Sequence, residues 1–262
     1  IMAITAAQVK ELRELTGIGM MECKKALTEA NGDIDLAVEE LRKKGLAKAA
    51  KKADRETTEG GIKIVTEGGN AYVVSVGCET DFLANTDKFT AMLETVATFL
   101  KENGVDSKEA AQTMINSDYA LEMGENLKLL DYVIVEGGVA VSYLHSNAKI
   151  AALIVAKEGS DEEKLKQVAM HVTAANPEYL NASDISEEVV EKEKSIQLEI
   201  MKNDENMGKK SDDVLLKIIG GKMGKFKSEI SLLEQAFVID PNVKVKAFIG
   251  EDTITSFHRF AI

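Results

Sequence analysis

Cysteine, proline and tryptophan are scarce in this sequence. Of 262 residues, two are Cys, two are Pro and none is Trp, and aromatic residues make up only 5%. The two thiols, Cys23 and Cys78, are far apart and fit neither a metal site nor a disulfide framework, which indicates a reducing compartment. The sequence also lacks the run of about 18 apolar residues of a membrane span, and it shows no signal- or transit-peptide pattern. These absences predict a cytoplasmic protein with no membrane association.

Motifs that mark catalytic or cofactor-binding sites are equally scarce. The three histidines, at 145, 171 and 258, do not have the spacing of a zinc site. There is no GxSxG turn for a nucleophile, and no GxGxxG follows a predicted strand. The stretch 220–226 resembles a phosphate-binding loop, but Ile219 and Phe226 stand where that loop needs Gly and Ser or Thr. We therefore expect no catalytic residue, metal, cofactor or small-molecule substrate, and so a protein that is not an enzyme.

The net charge narrows the class of partner. Lys and Arg number 32 against 44 Asp and Glu, which gives a formal net charge of −12. Because Lys and Arg supply most of the affinity for phosphate backbones, a chain this acidic is a poor general binder of nucleic acid. Hydrophobic residues make up 45% of the chain, which is enough for a folded core. A protein partner or a small ligand remains compatible with this composition.

Residues 1–45 have the pattern of a small three-helix module. Thr5 and Asp33 are the expected N-caps of the first and third helices, and Gly45 is the expected end of the third. Leu12 and Leu15 recur at the spacing of one helix face. The stretch 46–58 is basic and poor in large apolar residues, so it is either a helical tail or a linker, and we predict a domain boundary there.

The rest of the chain contains an internal repeat. Gly60-Gly61-Ile62 precedes Asn70-Ala71 in the same way as Gly137-Gly138-Val139 precedes Asn147-Ala148, and both offsets are 77 residues. Chance similarity between two hairpins is the alternative explanation. The shared register without a gap favours duplication.

Each copy of the repeat has the pattern of two strands followed by a helix, expected at 81–102 and 161–176. We therefore predict an α+β fold with a duplicated core, in which the N-subdomain spans 59–136 and the C-subdomain spans 137–262. An antiparallel helical hairpin is expected at about 186–228 within the second subdomain. Its narrow apolar stripe and charged outer faces predict that the hairpin protrudes.

Three stretches of the sequence resemble a known family. They are Val9–Leu27, with the sequence VKELRELTGIGMMECKKAL, then Cys78–Leu83, with CETDFL, and Met123–Asn126, with MGEN, followed further on by Ala169–Val172. Together they resemble the elongation factor Ts family, whose members are guanine-nucleotide exchange factors for the translational GTPase elongation factor Tu. The resemblance extends over nearly the whole chain and agrees with the module, the duplicated core and the hairpin.

The resemblance implies which residues contact the GTPase. The N-terminal module is expected to be similar to ubiquitin-associated domains and to dock through Arg13, Met20 and Met21. Thr80-Asp81-Phe82 is expected to reach the magnesium and phosphate side of the nucleotide site. The ring of Phe82 would then wedge between elements of the GTPase.

Further contacts are implied for Met123, Gly124 and His145. The function that the resemblance implies is that of a translation elongation factor. It would bind elongation factor Tu and promote GDP release by displacing the magnesium and phosphate contacts, so that GTP can load.

Taken without the resemblance, the same residues allow structural interpretations. Phe82 could be a core residue at a helix start, Asp81 an N-cap and His145 an ordinary strand residue. The alternative function is a non-enzymatic adaptor that binds ubiquitin-like or nascent-chain partners through the three-helix module. A third interpretation is an enzyme with an unrecognised site between the two core copies, for which the sequence gives no sign.

Overall fold

The computed structural model of the chain describes residues 4–204, 207 and 210–262. It combines helices with two small antiparallel sheets, which confirms the predicted α+β class. The chain divides into two compact units. Unit 1 comprises Ile1–Glu136, Ser146–Ile150 and Phe260–Ile262, and unit 2 comprises Gly137–His145 and Ala151–Arg259. The finer domain limits at residues 45 and 58 stay a prediction.

Unit 1 begins with a helical module. Its helices are α1 (Ala6–Thr16), α2 (Met20–Glu29) and α3 (Ile34–Lys52). Thr5 caps α1 and Asp33 caps α3, each by accepting a bond from a backbone amide of the first turn, as the sequence predicts. The core of the module contains the buried side chains of Leu12, Leu27 and Leu41.

The prediction that α3 ends at Gly45 is wrong, because the helix continues to Lys52. The first half of the stretch 46–58 is therefore a helical tail, the first of the two predicted alternatives. Gly45 is a packing residue instead. A β-carbon built on it would lie 2.6 Å from the backbone oxygen of Ser117 and 2.9 Å from that of Asn116. The missing side chain therefore allows α3 to approach this neighbouring segment closely.

A three-stranded sheet forms the rest of the core of unit 1. Its strands are β1 (Glu59–Glu67), β2 (Asn70–Cys78) and β3 (Lys128–Glu136), with β2 in the middle and antiparallel to both neighbours. Between β2 and β3 lie α4 (Asp81–Ala84), α5 (Asp87–Asn103), α6 (Lys108–Met114), a π-helical turn (Ile115–Tyr119) and α7 (Ala120–Met123). Phe89, Met92 and Leu100 of α5 are buried in the same cluster as the strand residues Val74 and Val76.

The single helix predicted for 81–102 is interrupted. α4 ends at Ala84, and the side chain of Thr86 caps α5 by accepting a bond from the Phe89 amide at 3.2 Å. A threonine that satisfies a backbone amide in this way starts a new helix rather than continuing the old one. Asp81 and Phe82 therefore lie on a separate helix of four residues.

Unit 2 contains most of the second sheet and the helical hairpin. The strands are β4 (Val139–Leu144), β5 (Ile150–Ala156) and β6 (Ile254–Ala261), with β5 in the middle. The helices are α8 (Glu162–Ala175), α9 (Glu187–Asn203), α10 (Asp212–Ile230) and α11 (Val245–Ile249). Ile154, Leu165 and Phe237 are among the fully buried side chains of this core.

The two sheets follow the same order along the chain. In each, two antiparallel strands precede a helical segment, and a third strand then pairs with the second strand. This common order supports the duplication inferred from the 77-residue offset.

Helices α9 and α10 pack against each other through buried Val190, Met201, Leu215, Ile219 and Met223. The side chain of Lys222 donates a hydrogen bond to that of Gln197 at 2.9 Å across this contact. The glycine-rich stretch 220–226 lies inside α10, so it is a helix rather than a phosphate-binding loop.

Candidate functional site

Thr80, Asp81 and Phe82 lie at the point where β2 ends and α4 begins. Thr80 is the N-cap of α4, since its hydroxyl oxygen accepts a bond from the Leu83 amide at 3.3 Å. The interpretation of Asp81 as the N-cap is therefore wrong, because Asp81 is the first residue of the helix. Its carboxylate is exposed and has no hydrogen-bond or ion-pair partner in the described part of the chain. This negative charge is available to a partner.

Phe82 has the most exposed large apolar side chain among the described residues, at 83%. It is therefore not a core residue at a helix start. The next two residues, Leu83 and Ala84, are partly buried and pack against the core of unit 1. The ring of Phe82 is thus exposed on a helix whose other side packs against the core.

A loop after α7 lies against Thr80. Gly124 ends α7 with a φ of 74°, which turns the chain. The carboxylate of Glu125 then accepts hydrogen bonds from the Glu79 amide at 2.8 Å, from the Thr80 amide at 2.9 Å and from the Thr80 hydroxyl. Met123 is half-buried against the core, whereas Gly124 is exposed with open space beside it.

Glu79 makes the reciprocal contact with this loop. Its carboxylate accepts a bond from the Asn126 amide at 2.7 Å and one from the guanidinium of Arg55 at 3.1 Å. The Asn126 bond, followed by the Arg55 bond, holds the pKa of Glu79 below its usual range. The buried side chain of Asn126 in turn donates to the backbone oxygen of Arg55 at 2.7 Å. Glu125 thus accepts hydrogen bonds from backbone amides of the segment that contains Glu79. Glu79 in turn accepts one from a backbone amide of the segment that contains Glu125.

The predicted docking residues of the module are exposed. Met20 is 58% exposed and Met21 is 78% exposed, both in the first turn of α2, and Arg13 is an exposed residue of α1. Leu15 departs from the predicted apolar face of α1, because it is 66% exposed. It borders a cavity of about 350 Å³ that is also lined by Ile18, Leu41 and Tyr119.

His145 belongs to unit 2, where it follows β4 and is exposed. Its Nδ1 lies 3.3 Å from the hydroxyl of Tyr143. Within unit 1, the structure therefore brings Glu79 and Thr80 into contact with Glu125 and Asn126 of the loop after α7. His145 belongs to unit 2.

The remaining titratable candidates are structural. Cys23 and Cys78 are buried free thiols. His171 is buried in α8, with its Nε2 2.8 Å from Gln235, and its Nδ1 accepts a bond from the Val238 amide at 3.1 Å. Among the described residues, no group of three or more His, Cys, Asp or Glu side chains could hold a metal ion. None of the described helices has the length and apolar character needed to cross a membrane.

Sequence reasoning missed Glu79 and Glu125. Both glutamates stand inside the stretches that resemble the family, but no local pattern marks their contacts. The contacts join residues 45 to 47 positions apart in the sequence.

Comparisons with known proteins agree with these features. The family model described as "Elongation factor TS" matches residues 79–262. Elongation factor Ts of Haemophilus influenzae (strain PittGG) is 47% identical, and the match covers 99% of this chain and 91% of that protein. Elongation factor Ts of Shewanella loihica is 43% identical over 100% of this chain and 92% of that protein. Elongation factor Ts of Klebsiella pneumoniae strain MGH 78578 is 42% identical, and the match covers 99% of this chain and 91% of that protein. The chain therefore belongs to the elongation factor Ts family, a family of translation elongation factors.

Proposed function

We propose that this chain is a guanine-nucleotide exchange factor that binds elongation factor Tu and promotes the release of GDP. The observation that carries the proposal is the exposed pair Asp81 and Phe82 on a helix that is anchored on its other side. Family membership supports the identity of the partner.

The proposed mechanism requires no covalent chemistry. The carboxylate of Asp81 would act near the magnesium and phosphate side of the partner's nucleotide site, while the ring of Phe82 enters between elements of the GTPase. Magnesium is the largest local charge in a phosphate site, so its displacement removes a large part of the binding energy of GDP. The proposal therefore includes no catalytic residue and no cofactor, membrane, nucleic acid or small-molecule substrate for this chain.

Energetic magnitudes show that Phe82 cannot act alone. A nucleotide bound at nanomolar affinity corresponds to roughly 12 kcal/mol of binding free energy. A release that is about 10⁴-fold faster requires a barrier lower by about 5.5 kcal/mol. Burial of a Phe side chain contributes about 1.5–3 kcal/mol, so other contacts must supply the rest. We assign the rest to displacement of the magnesium contacts by Asp81 and to contacts at Met123, Gly124 and His145. Arg13, Met20 and Met21 supply the affinity of docking.

The binding of GDP and the binding of the exchange factor are thermodynamically coupled. If the exchange factor weakens GDP binding by a given factor, GDP weakens the binding of the exchange factor by the same factor. The complex therefore forms, releases GDP and dissociates once nucleotide loads again. This behaviour fits a cycle rather than a permanent assembly.

Release of fluorescent GDP from elongation factor Tu, at fixed magnesium, tests the proposal. The wild-type chain should accelerate release at substoichiometric amounts. Phe82→Ala should lower the maximal rate by about 10- to 100-fold, since it removes most of the apolar burial. Val105→Ala is the matched control, because Val105 is an exposed apolar residue of the same unit outside the proposed site.

A second variant separates docking from release. Met21→Ser should raise the concentration that gives half-maximal acceleration and leave the maximal rate unchanged, because Met21 lies in the docking module rather than beside Phe82. A folded wild-type chain that does not accelerate GDP release would contradict the proposal.

A further inference from the structure

We infer that Glu125 is a positioning residue, which fixes Asp81 and Phe82 in the orientation needed for nucleotide release. The inference rests on the proposed function. Glu125 is itself half-buried, and both of its carboxylate oxygens accept hydrogen bonds from within the chain. It therefore acts through the segment that it holds.

Helix α4 has little means of fixing its own orientation. It contains four residues, none of them buried, and a single helical turn is not stable by itself in water. Leu83 and Ala84 anchor only one side, by packing on the core. Phe82 gains almost no support from packing, because most of its ring surface faces solvent.

Glu125 supplies the missing anchor at the start of this helix. One of its oxygens accepts the amides of Glu79 and Thr80, and the other accepts the hydroxyl of Thr80. The same hydroxyl accepts the Leu83 amide, so it is a donor to Glu125 and an acceptor from the helix at once. The anchor is continuous from the carboxylate through Thr80 to the helix backbone that carries Phe82.

The position of Glu125 is in turn fixed by the reciprocal contact. The amide of the next residue, Asn126, donates to Glu79, and the Asn126 side chain is buried and bonded to the backbone of Arg55. Bonds to ionised carboxylates are stronger than bonds between neutral groups. The loop and the start of α4 therefore hold each other, which makes Glu125 a rigid support rather than a mobile surface charge.

Positioning of this kind affects the maximal rate more than affinity. A misplacement of about 1 Å can reduce a rate by roughly 100-fold when geometry decides the reaction. Docking through Met20 and Met21 does not involve Glu125, so the half-saturating concentration should change little. We expect Glu125→Ala to lower the maximal rate of GDP release by about 10- to 100-fold.

The experiment compares three variants with the wild-type chain in the GDP-release assay. Glu125→Ala removes the anchor, whereas Glu125→Gln keeps an oxygen that can accept the two amides and should retain most of the rate. Glu109→Gln is the control for lost charge, because Glu109 is exposed on α6 and its side chain has no hydrogen-bond or ion-pair partner in the described part of the chain. Hydrogen exchange of the Glu79 and Thr80 amides reports the anchor in the free protein. It should be slow in the wild type and fast in Glu125→Ala.

A double-mutant cycle with Phe82→Ala distinguishes positioning from a general loss of structure. If Glu125 acts by orienting Phe82, the Glu125 substitution should lower the maximal rate of GDP release by a much smaller factor in the Phe82→Ala background than in the wild type. If Glu125→Ala does not fold, the cycle is run with Glu125→Gln, whose smaller loss should shrink in the same way.

Three results would overturn the inference. They are an unchanged maximal rate in Glu125→Ala, losses that simply multiply in the double variant, and fast exchange of both amides in the wild type. Wild-type protein with slow amides but no effect on GDP release would refute the proposed function, and the positioning role would fall with it.

Discussion

The contact at Gly45 gives a prediction whose sign is the opposite of that expected for a glycine in a helix. Gly45 lies in the interior of α3, where Gly→Ala ordinarily stabilises a protein by about 0.5–1 kcal/mol. Here the added β-carbon would lie 2.6 Å from one backbone oxygen and 2.9 Å from another. Because both atoms belong to the backbone, no side-chain rotation can relieve the overlap.

The expected magnitude follows from two opposing effects. Overpacking of a close contact costs about 1–3 kcal/mol, and the helical preference of Ala offsets about 0.5–1 kcal/mol of this. We therefore expect Gly45→Ala to lower the free energy of unfolding of unit 1 by up to about 2.5 kcal/mol, and not to raise it. For units of this size, that corresponds to a decrease in melting temperature of several degrees.

Gly220→Ala is the matched control. Gly220 is also in a helix interior, in α10, but a β-carbon there meets no atom within 4 Å. This variant should raise the stability of unit 2 by about 0.5–1 kcal/mol. Thermal unfolding followed by circular dichroism measures the stability change of each variant. Each unfolding transition of a variant is compared with the same transition of the wild type. An increase in stability in Gly45→Ala would refute the close approach of α3 to the segment 115–119.

Two further predictions follow from buried titratable groups. Burial, together with the nearby Glu125 carboxylate, raises the pKa of Cys78 to about 12, so the native chain should resist alkylation by iodoacetamide and be labelled there only after unfolding. Mass spectrometry after labelling measures this, and rapid modification of folded protein at Cys78 would contradict it. Burial lowers the pKa of His171 below its ordinary value of 6.5, against the opposing effect of its bond to Gln235. The unfolded chain then binds the proton more readily, so the stability of unit 2 should be complete above about pH 6.5 and fall as the pH drops below it. Urea titrations across this range should show a smaller decline in His171→Gln, and an equal decline would exclude His171 as the cause.

The sequence predicts the fold well where the determinants are local. Thr5 and Asp33 cap their helices as predicted, because the side chain of one residue decides each of these features. The two-strand patterns after Gly60 and Gly137 likewise depend on residues close in sequence.

Local signals fail where one residue type has two uses. Glycine is a residue type typical of helix ends, but Gly45 instead allows a close contact with a segment about 70 residues away in the sequence. Only the tertiary structure reveals this contact. Thr86 lies in the polar stretch 85–88 within the predicted helix, and its capping bond divides that helix into α4 and α5. The exposed positions of Leu15 and Met20 likewise depend on which side of each helix the neighbouring helices cover.

The contacts of Glu79 and Glu125 belong to a third class, because they follow from strand pairing once the pairing is known. In the antiparallel ladder of β2 and β3, Gly77 is opposite Lys128, so residues 79–80 and 125–126 leave the sheet side by side. Beyond the last pair of a ladder, the backbone amides have lost their strand partners and need other acceptors. The amides of Glu79, Thr80 and Asn126 are in this position, and carboxylates of the two glutamates accept all three. A Glu on each side of a strand exit is therefore a signal that sequence reasoning can use, provided that the two strands have first been paired. The hydrogen bonds that satisfy these amides also hold the start of α4, the helix that contains Asp81 and Phe82.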